Sequence, residues 1–329
     1  MTPWALAGLL AGASLALALV LKVRRLGQLP QDSWAIGIRR PTDPLRPVVG
    51  GGGEDRPVLT AADIPDVDSD FVADPFLLHR DGRWHLFFEI MERKTWRGCL
   101  AVASSVDGER WDYGGVVLRE PFHLSYPYVV SEGDTLYMVP ESCRAGAIRL
   151  YRCSEFPLRW VFDRVLVEGG FYDPSLVWHG GRWWMFASDR SHALHLFHAP
   201  SLQGPWTAHA QSPVRRDDPR AARCGGRILE FDGALYRFAQ DGRDGYGARL
   251  WAFRIDRLDE QGFQETEVPD GPVIGATGRG WTATGMHQLD VQRRPDGGWL
   301  ATVDGNAQRI VTNWRAGVRQ LQAGWFARR

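Results

Sequence analysis

One unit recurs five times along this chain. Each copy reads as an entrance residue, an apolar strand, a short turn with glycine, an aromatic-rich strand and a polar exit residue. The first is Asp74-Pro-Phe-Leu-Leu-His-Arg-Asp-Gly-Arg-Trp-His-Leu-Phe-Phe-Glu89. The second runs from Tyr126-Pro-Tyr-Val to Glu141, the third from Asp173-Pro-Ser-Leu to Ser188, and the fourth from Gly225-Gly-Arg-Ile to Gln240. In these four, entrance and exit lie 15 positions apart. A looser fifth copy runs from Gly285-Met-His287 to Asp304. Asp-Gly, Gly-Asp or Gly-Gly at the turn is what a tight hairpin requires. An outer element follows the first three copies, as in Ser105-Val-Asp-Gly-Glu-Arg-Trp111 and Ser201-Leu-Gln-Gly-Pro-Trp206. Four strands in roughly 50 residues describe a propeller blade. The predicted fold is therefore all-β, a five-bladed β-propeller over residues 61–310.

The propeller is preceded by a different kind of segment. Pro3 to Leu21 holds no charge, and as a helix its 19 residues would reach about 28 Å, the thickness of a hydrocarbon core. Lys22, Arg24 and Arg25 follow it. Positive charge after the apolar run, not before it, points to an uncleaved anchor over residues 1–30. The positive-inside rule then puts the propeller in the cytoplasm, with the extracytoplasmic side as the alternative. Residues 31–60 read as a Pro- and Gly-rich connector. Its segment Trp34-Ala-Ile-Gly-Ile38 has strand character and is the candidate for closing the last blade. Residues 311–329 form a tail.

Composition narrows the function. The chain of 329 residues has 39 basic and 39 acidic side chains, which gives no electrostatic drive towards nucleic acid. Cys99, Cys143, Cys153 and Cys224 match neither a zinc site nor a redox pair, and read as free thiols. The 15 tryptophans suit strands and core packing, and a flat indole also stacks on a sugar ring. P-loop, Rossmann, nucleophile-elbow and zinc signatures are missing from the sequence, which disfavours nucleotide-dependent and protease chemistry.

In a propeller the innermost strands face one axis, so the entrance residues Asp74, Tyr126, Asp173, Gly225 and His287 converge. Exit residues Glu89, Glu141, Ser188 or Asp189, Gln240 or Asp241, and Asp304 belong to the second strand, and some of them are expected at the same mouth. Carboxylates gathered from separate blades raise each other's pKa, which lets one acid stay protonated beside an ionised partner. Asp74, Glu141 and Asp173 are the candidate catalytic set. Glu89, His123, Tyr126, Arg223, Arg227, Gln240, Asp241, His287 and Asp304 are the candidate substrate-binding residues. Proline after Asp74 and Asp173 predicts extended backbone at both. Arg223 and Arg227 flank the fourth entrance, placed to clamp an anion or to pair with a neighbouring blade.

Phe71-Val-Ala-Asp-Pro-Phe76, Phe122-His-Leu-Ser-Tyr-Pro-Tyr128 and Tyr236-Arg-Phe-Ala-Gln-Asp241 carry a resemblance. With Gly285-Met-His287 and Trp34–Ile38, they resemble the N-terminal domain of glucosamine inositolphosphorylceramide transferases and related bacterial proteins. That domain is similar to five-bladed arabinanase and β-xylosidase-type propellers. The resemblance implies that Asp74 matches a catalytic base and Asp173 the Asp that tunes the acid. It implies that His287 matches a central-channel His associated with a metal ion or water, with no cofactor otherwise required. Arabinanase-like enzymes carry the acid Glu on a later blade. Here that region reads Arg223-Cys-Gly-Gly-Arg227, and Glu141 is the available replacement. The plant members carry a separate transferase domain, which this chain is too short to hold. The expected function is a monomeric, membrane-anchored protein that cleaves or transfers a glycosyl unit of a carbohydrate or glycolipid. The alternative is a non-catalytic glycan-binding module of a polysaccharide or glycolipid assembly system.

Overall fold

The computed structural model describes residues 3–47 and 56–313, together with Val318. The glycine run at 50–53 and most of the 311–329 tail lie outside the described residues. The chain divides into two units, Trp34–Ala307 and a smaller one made of Met1–Ser33 with Gln308–Arg329.

The larger unit is a five-bladed propeller of antiparallel sheets. Blade 1 is Ser69–Arg80, Arg83–Glu92, Gly98–Ser105 and Asp112–Leu118, from the axis outwards. Blade 2 is Ser125–Glu132, Thr135–Glu141, Ala147–Glu155 and Arg159–Glu168. Blade 3 is Tyr172–His179, Arg182–Ser188, Leu194–Ala199 and the short Thr207–Ala208. Blade 4 has a broken inner strand, Arg223–Cys224 and Leu229–Phe231, both paired with Ala234–Asp241, followed by Arg249–Asp259 and Gly262–Glu267. Blade 5 is Leu289–Arg293, Trp299–Asn306 and, as its outer strand, Trp34–Arg39 from the other end of the propeller sequence. Closure by Trp34–Ile38 is as expected. The closed blade differs from the expected four strands, because past Trp34–Arg39 there is a single bridge from Ile36 to Leu59.

Local chemistry explains the hairpins. Asp81-Gly82, Gly180-Gly181 and Asp232-Gly233 form two-residue loops with both φ values positive, between +49° and +80°. That backbone matches strand twist, and it needs Gly or Asp. Apolar side chains from adjacent blades then interleave. Phe87 and Leu100 of blade 1 pack with Val129, Met138 and Trp160 of blade 2, all of them buried. The glycine pair in blade 4 has a separate cause. A Cβ on Gly226 would sit 1.8 Å from the Leu289 carbonyl oxygen, so only glycine lets blade 5 approach that closely. Leu289 N–H donates to the Gly225 carbonyl there, at 2.9 Å.

The smaller unit holds the helix Pro3–Leu26 and a two-stranded ribbon, Gln28–Gln31 with Arg309–Thr312. This corrects the single-pass assignment. Among the described residues no helix is long and apolar enough to cross a membrane. Lys22, Arg24 and Arg25 do not flank the helix but lie inside it, which runs on to Leu26, so its last turns are cationic. The anchor, and the cytoplasmic or extracytoplasmic placement that followed from it, fall together.

Candidate functional site

The same backbone irregularity recurs at three inner strands. Asp74, Tyr126 and Asp173 have φ of +52°, +50° and +50°, and the strand register slips at each. The extended geometry expected before proline is therefore not adopted at Asp74 or Asp173. A β-bulge overrides the local preference and re-aims the side chain. In blade 4 the corresponding irregularity falls on Gly226, with φ of +148°.

These bulges surround a cavity of about 370 Å³ to which all five blades contribute. Blade 1 supplies Asp74 and Glu89, the chain entering and following blade 2 supplies His123, Ser125, Glu141, Cys143 and Arg144, and blade 3 supplies Tyr172. Blade 4 supplies Arg223 and the loop residue Tyr246, and blade 5 supplies His287 together with Trp34. Of the candidate residues, Asp74, Glu89, His123, Glu141, Arg223 and His287 line it.

Asp173, Gln240, Asp304 and Tyr126 stand behind that surface. Arg223 Nε donates to Asp173 Oδ2 at 2.6 Å, and Gln240 Nε2 donates to the same oxygen at 3.1 Å. Asp304 Oδ1 accepts from the backbone N–H groups of His287 and Gln288, both at 3.0 Å. The Tyr126 hydroxyl reaches Ser175 Oγ at 2.7 Å and donates to the Gly226 carbonyl at 3.0 Å, and the residue is fully buried. Arg227 and Asp241 do not line the cavity. Arg227 pairs with Asp290 at 2.9 Å and donates to the Val129 carbonyl, deeper between the blades. Asp241 is fully buried and held by Arg243 and Trp251.

Sequence reasoning missed Trp34 and Tyr246 as site residues. Trp34 packs on the His287 ring, with centroids 4.1 Å apart. The Tyr246 hydroxyl lies 3.0 Å from His287 Nε2.

Electrostatics divides the carboxyls. Burial, partly opposed by His287, raises Asp74 to about 7. Burial and then the charge of Asp173 raise Glu141 to about 8. Burial and then Asp74 push Glu89 well above the ordinary range, and Glu89 Oε1 has no hydrogen-bond partner among the described residues. Burial opposes charge on His287, but Asp304 and then Asp74 raise it overall. His123 is lowered to about 4 by burial and by Arg144. Its Nδ1 accepts from Gly98 N–H at 2.8 Å, which turns Nε2 towards Glu89, 3.6 Å away.

Asp74, His287 and Asp304 hold donor atoms within 4.8 Å of one another, so an ion at His287 must be considered. The donors do not converge. Asp304 Oδ1 is occupied by two backbone N–H groups, and Oδ2 faces His287 Nδ1 at 2.7 Å and Asp74 N–H at 3.3 Å. Only His287 Nε2 and Asp74 Oδ1, 3.5 Å apart, face the cavity together. Two donors are too few for a resident ion. The arrangement instead matches a carboxylate that orients a histidine, which in turn faces a second carboxylate.

The fold and this cavity define a class, the five-bladed propellers with carboxylates gathered at a central mouth. Among solved structures, the chain is similar to the catalytic domain of Coprinopsis cinerea GH62 α-L-arabinofuranosidase. That match has a TM-score of 0.53 and 16% identity, over 84% of this chain and 98% of the other. It is also similar to an exo-1,5-α-L-arabinanase from a bovine ruminal metagenomic library, with a TM-score of 0.52 and 9% identity, over 73% and 95%. Such low identity speaks for the fold alone.

The chain belongs to the family described as glucosamine inositolphosphorylceramide transferase 1, N-terminal, whose model matches residues 53–306. The relative of that name from Oryza sativa subsp. japonica is 37% identical over 308 residues, covering 86% of this chain and 41% of that protein. The Arabidopsis thaliana relative is 32% identical over 299 residues, covering 84% and 39%. This chain thus spans about two fifths of the length of the curated relatives it matches.

Proposed function

We propose that this propeller is a carbohydrate-active enzyme that cleaves or transfers a glycosyl unit of a glycan or glycolipid. The observation that carries this is the pair of cavity carboxyls from neighbouring blades, Asp74 raised to about 7 and Glu141 to about 8. His287 beside Asp74 favours its ionised form, while burial and the charge of Asp173 favour the protonated form of Glu141, the division of labour that glycoside chemistry requires. Glu141 gives its proton to the departing glycosidic oxygen as the C–O bond breaks. Asp74 takes the proton of the incoming hydroxyl, from water or a sugar acceptor, as the new C–O bond forms.

The surroundings suit these roles. Asp74 Oδ2 accepts the Tyr126 N–H at 3.2 Å, which fixes the carboxylate and leaves Oδ1 beside His287. Glu141 is turned by Cys143 N–H, a donor to Oε1 at 3.0 Å. Asp173, fixed by Arg223, is the positioning residue that helps hold Glu141 protonated. Glycosyl transfer is what the relatives' names describe, and the glycoside-hydrolase fold supports the same chemical class.

The second reading is a glycan-binding module without turnover. The Arg223–Asp173 ion pair favours it, since Arg223 stands where the resemblance leads one to look for an acid. One experiment separates the two. The chain is incubated with a panel of reducing-end-labelled oligosaccharides and glycolipids, and products are followed by mass spectrometry. Turnover that disappears in both Asp74→Asn and Glu141→Gln supports the enzyme. Binding without product, unchanged in both variants, supports the module.

A further inference from the structure

Trp96 stands on the hairpin joining Arg83–Glu92, the strand that carries Glu89, to Gly98–Ser105. It lines the cavity rim and is 58% exposed. Its φ is +53°, in the left-handed region, where a bulky side chain is unfavourable. Exposure of an indole and a strained backbone both work against folding, yet the turn is built to keep them. Trp96 N–H donates to the Glu92 carbonyl at 2.9 Å. Thr95 Oγ1 donates to Glu92 Oε2 at 2.7 Å, and Arg119 pairs with Glu92 Oε1 at 2.9 Å. Arg97 ties the next residue to the Pro121 carbonyl. An observed backbone outlier held this firmly beside a cavity calls for a functional reason.

The cavity supplies one. Tyr126 lies fully buried behind its wall, and the exposed Trp96 stands on its open side. Its volume of about 370 Å³ is near the lower end of the roughly 300–1,000 Å³ of small-molecule sites. The remainder of a longer ligand then passes the rim, where Trp96 offers a flat apolar face.

We propose that Trp96 is an outer sugar-binding platform. The terminal residue of a glycan occupies the cavity and the second ring stacks on Trp96, so the protein recognises ends of chains of two or more sugars. This rests on the carbohydrate reading above and goes beyond it in naming the substrate class.

The test is calorimetric titration of the full chain with methyl glycosides of glucose, galactose, xylose and arabinose and with their disaccharides. At least one disaccharide should bind roughly tenfold tighter than its methyl glycoside, the effect of one aromatic anchor. Trp96→Ala should remove that advantage and leave methyl glycoside affinity unchanged, and Trp96→Tyr should restore most of it. Trp96→Gly should lose it too, since glycine accepts the positive φ but offers no ring. Equal binding of mono- and disaccharide by the unaltered protein overturns the platform and leaves the carbohydrate reading standing. So does a Trp96→Ala variant that keeps the disaccharide advantage or loses both affinities. A panel in which nothing binds overturns both.

Discussion

The Glu141 and Glu265 side chains are both buried in one propeller, Glu141 in blade 2 and Glu265 in blade 4, and their chemistry is opposite. Glu265 accepts from Arg237 at 2.6 and 2.9 Å and from Arg215 at 2.6 Å. Burial alone would raise it, but Arg237 and Arg215 bring it below the ordinary value. Glu141 receives only neutral donors, Cys143 N–H at 3.0 Å and Ser125 Oγ at 3.5 Å, and stands at about 8. The fold neutralises a buried acid with arginine where it needs a rigid joint between blades. In the cavity it does not: Arg223 Nε faces Asp173, and Asp74, Glu89 and Glu141 share the space. Burial is therefore not what separates the two acids; a directly bonded arginine is.

The largest effects should exchange between the two regions. Glu265→Gln removes one member of a buried ion cluster and leaves Arg237, fully buried, without its counter-charge. Breaking such a pair costs about 3–5 kcal/mol, read as a shift of the denaturation midpoint. Asp74→Asn or Glu141→Gln should leave that midpoint unchanged or higher and reduce turnover by about 10²–10⁴. A Glu265→Gln protein as stable as the unaltered one, or a Glu141→Gln protein that loses its fold, would dissolve the contrast.

Stability against pH sharpens it. Raised acids favour the folded state while they hold their protons. The contribution of Glu141 is complete below its ordinary 4.5 and is lost as pH rises towards about 8; that of Asp74 is lost between 3.8 and about 7. Glu265 runs the other way, its contribution being present above 4.5 and lost as pH falls. At about 1.4 kcal/mol per pK unit the Glu141 effect is on the order of a few kcal/mol. Glu141→Gln should therefore flatten the decline in thermal midpoint between pH 5 and pH 8. An unaltered slope would show that Glu141 is not the group responsible. Activity should follow a narrow bell between the same two titrations, whose apparent values belong to the coupled carboxyls as a set.

The blades were legible because the hairpin chemistry repeats at fixed spacing, and the convergence of Asp74, Glu89 and Glu141 followed from that repeat. Other features lay beyond it. The repeat leaves the fourth exit open between Gln240 and Asp241; the Ala234–Asp241 strand turns Gln240 inward to Asp173 and leaves Asp241 to Arg243. Of the two roles open to Arg223 and Arg227, pairing with a neighbouring blade is the one adopted, Arg223 with Asp173 and Arg227 with Asp290, and the repeat alone does not choose between them. Trp34 was read as a closing strand only. That the same strand delivers an indole onto His287 follows from pairing across more than 250 residues, Trp34 opposite Asn306, which no local pattern reveals. Tyr246 lies in Asp241-Gly-Arg-Asp-Gly-Tyr-Gly247, a sequence that announces a turn and conceals a contact.

That contact gives the smallest effect. Tyr246 sits between Gly245 at φ +118° and Gly247 at φ +69°, and a Cβ on Gly247 would meet the Trp34 ring at 2.5 Å. The two glycines let the loop lie close enough for the tyrosine ring to meet Trp34 and His287 edge-on, at 6.1 and 5.1 Å. His287 Nε2 then has two claimants, the Tyr246 hydroxyl at 3.0 Å and Asp74 Oδ1 at 3.5 Å. Tyr246→Phe keeps the ring contacts and removes the nearer claimant, so the Nε2 proton turns to Asp74 and stabilises its ionised form. A net hydrogen bond is worth about 1 kcal/mol, which is about 0.7 of a pK unit. The acid limb of kcat/KM should move down in pH by up to that amount, with a few-fold change in rate and a thermal midpoint close to the original. An acid limb that stays in place would mean that Tyr246 only roofs the cavity and that His287 serves Asp74 without competition.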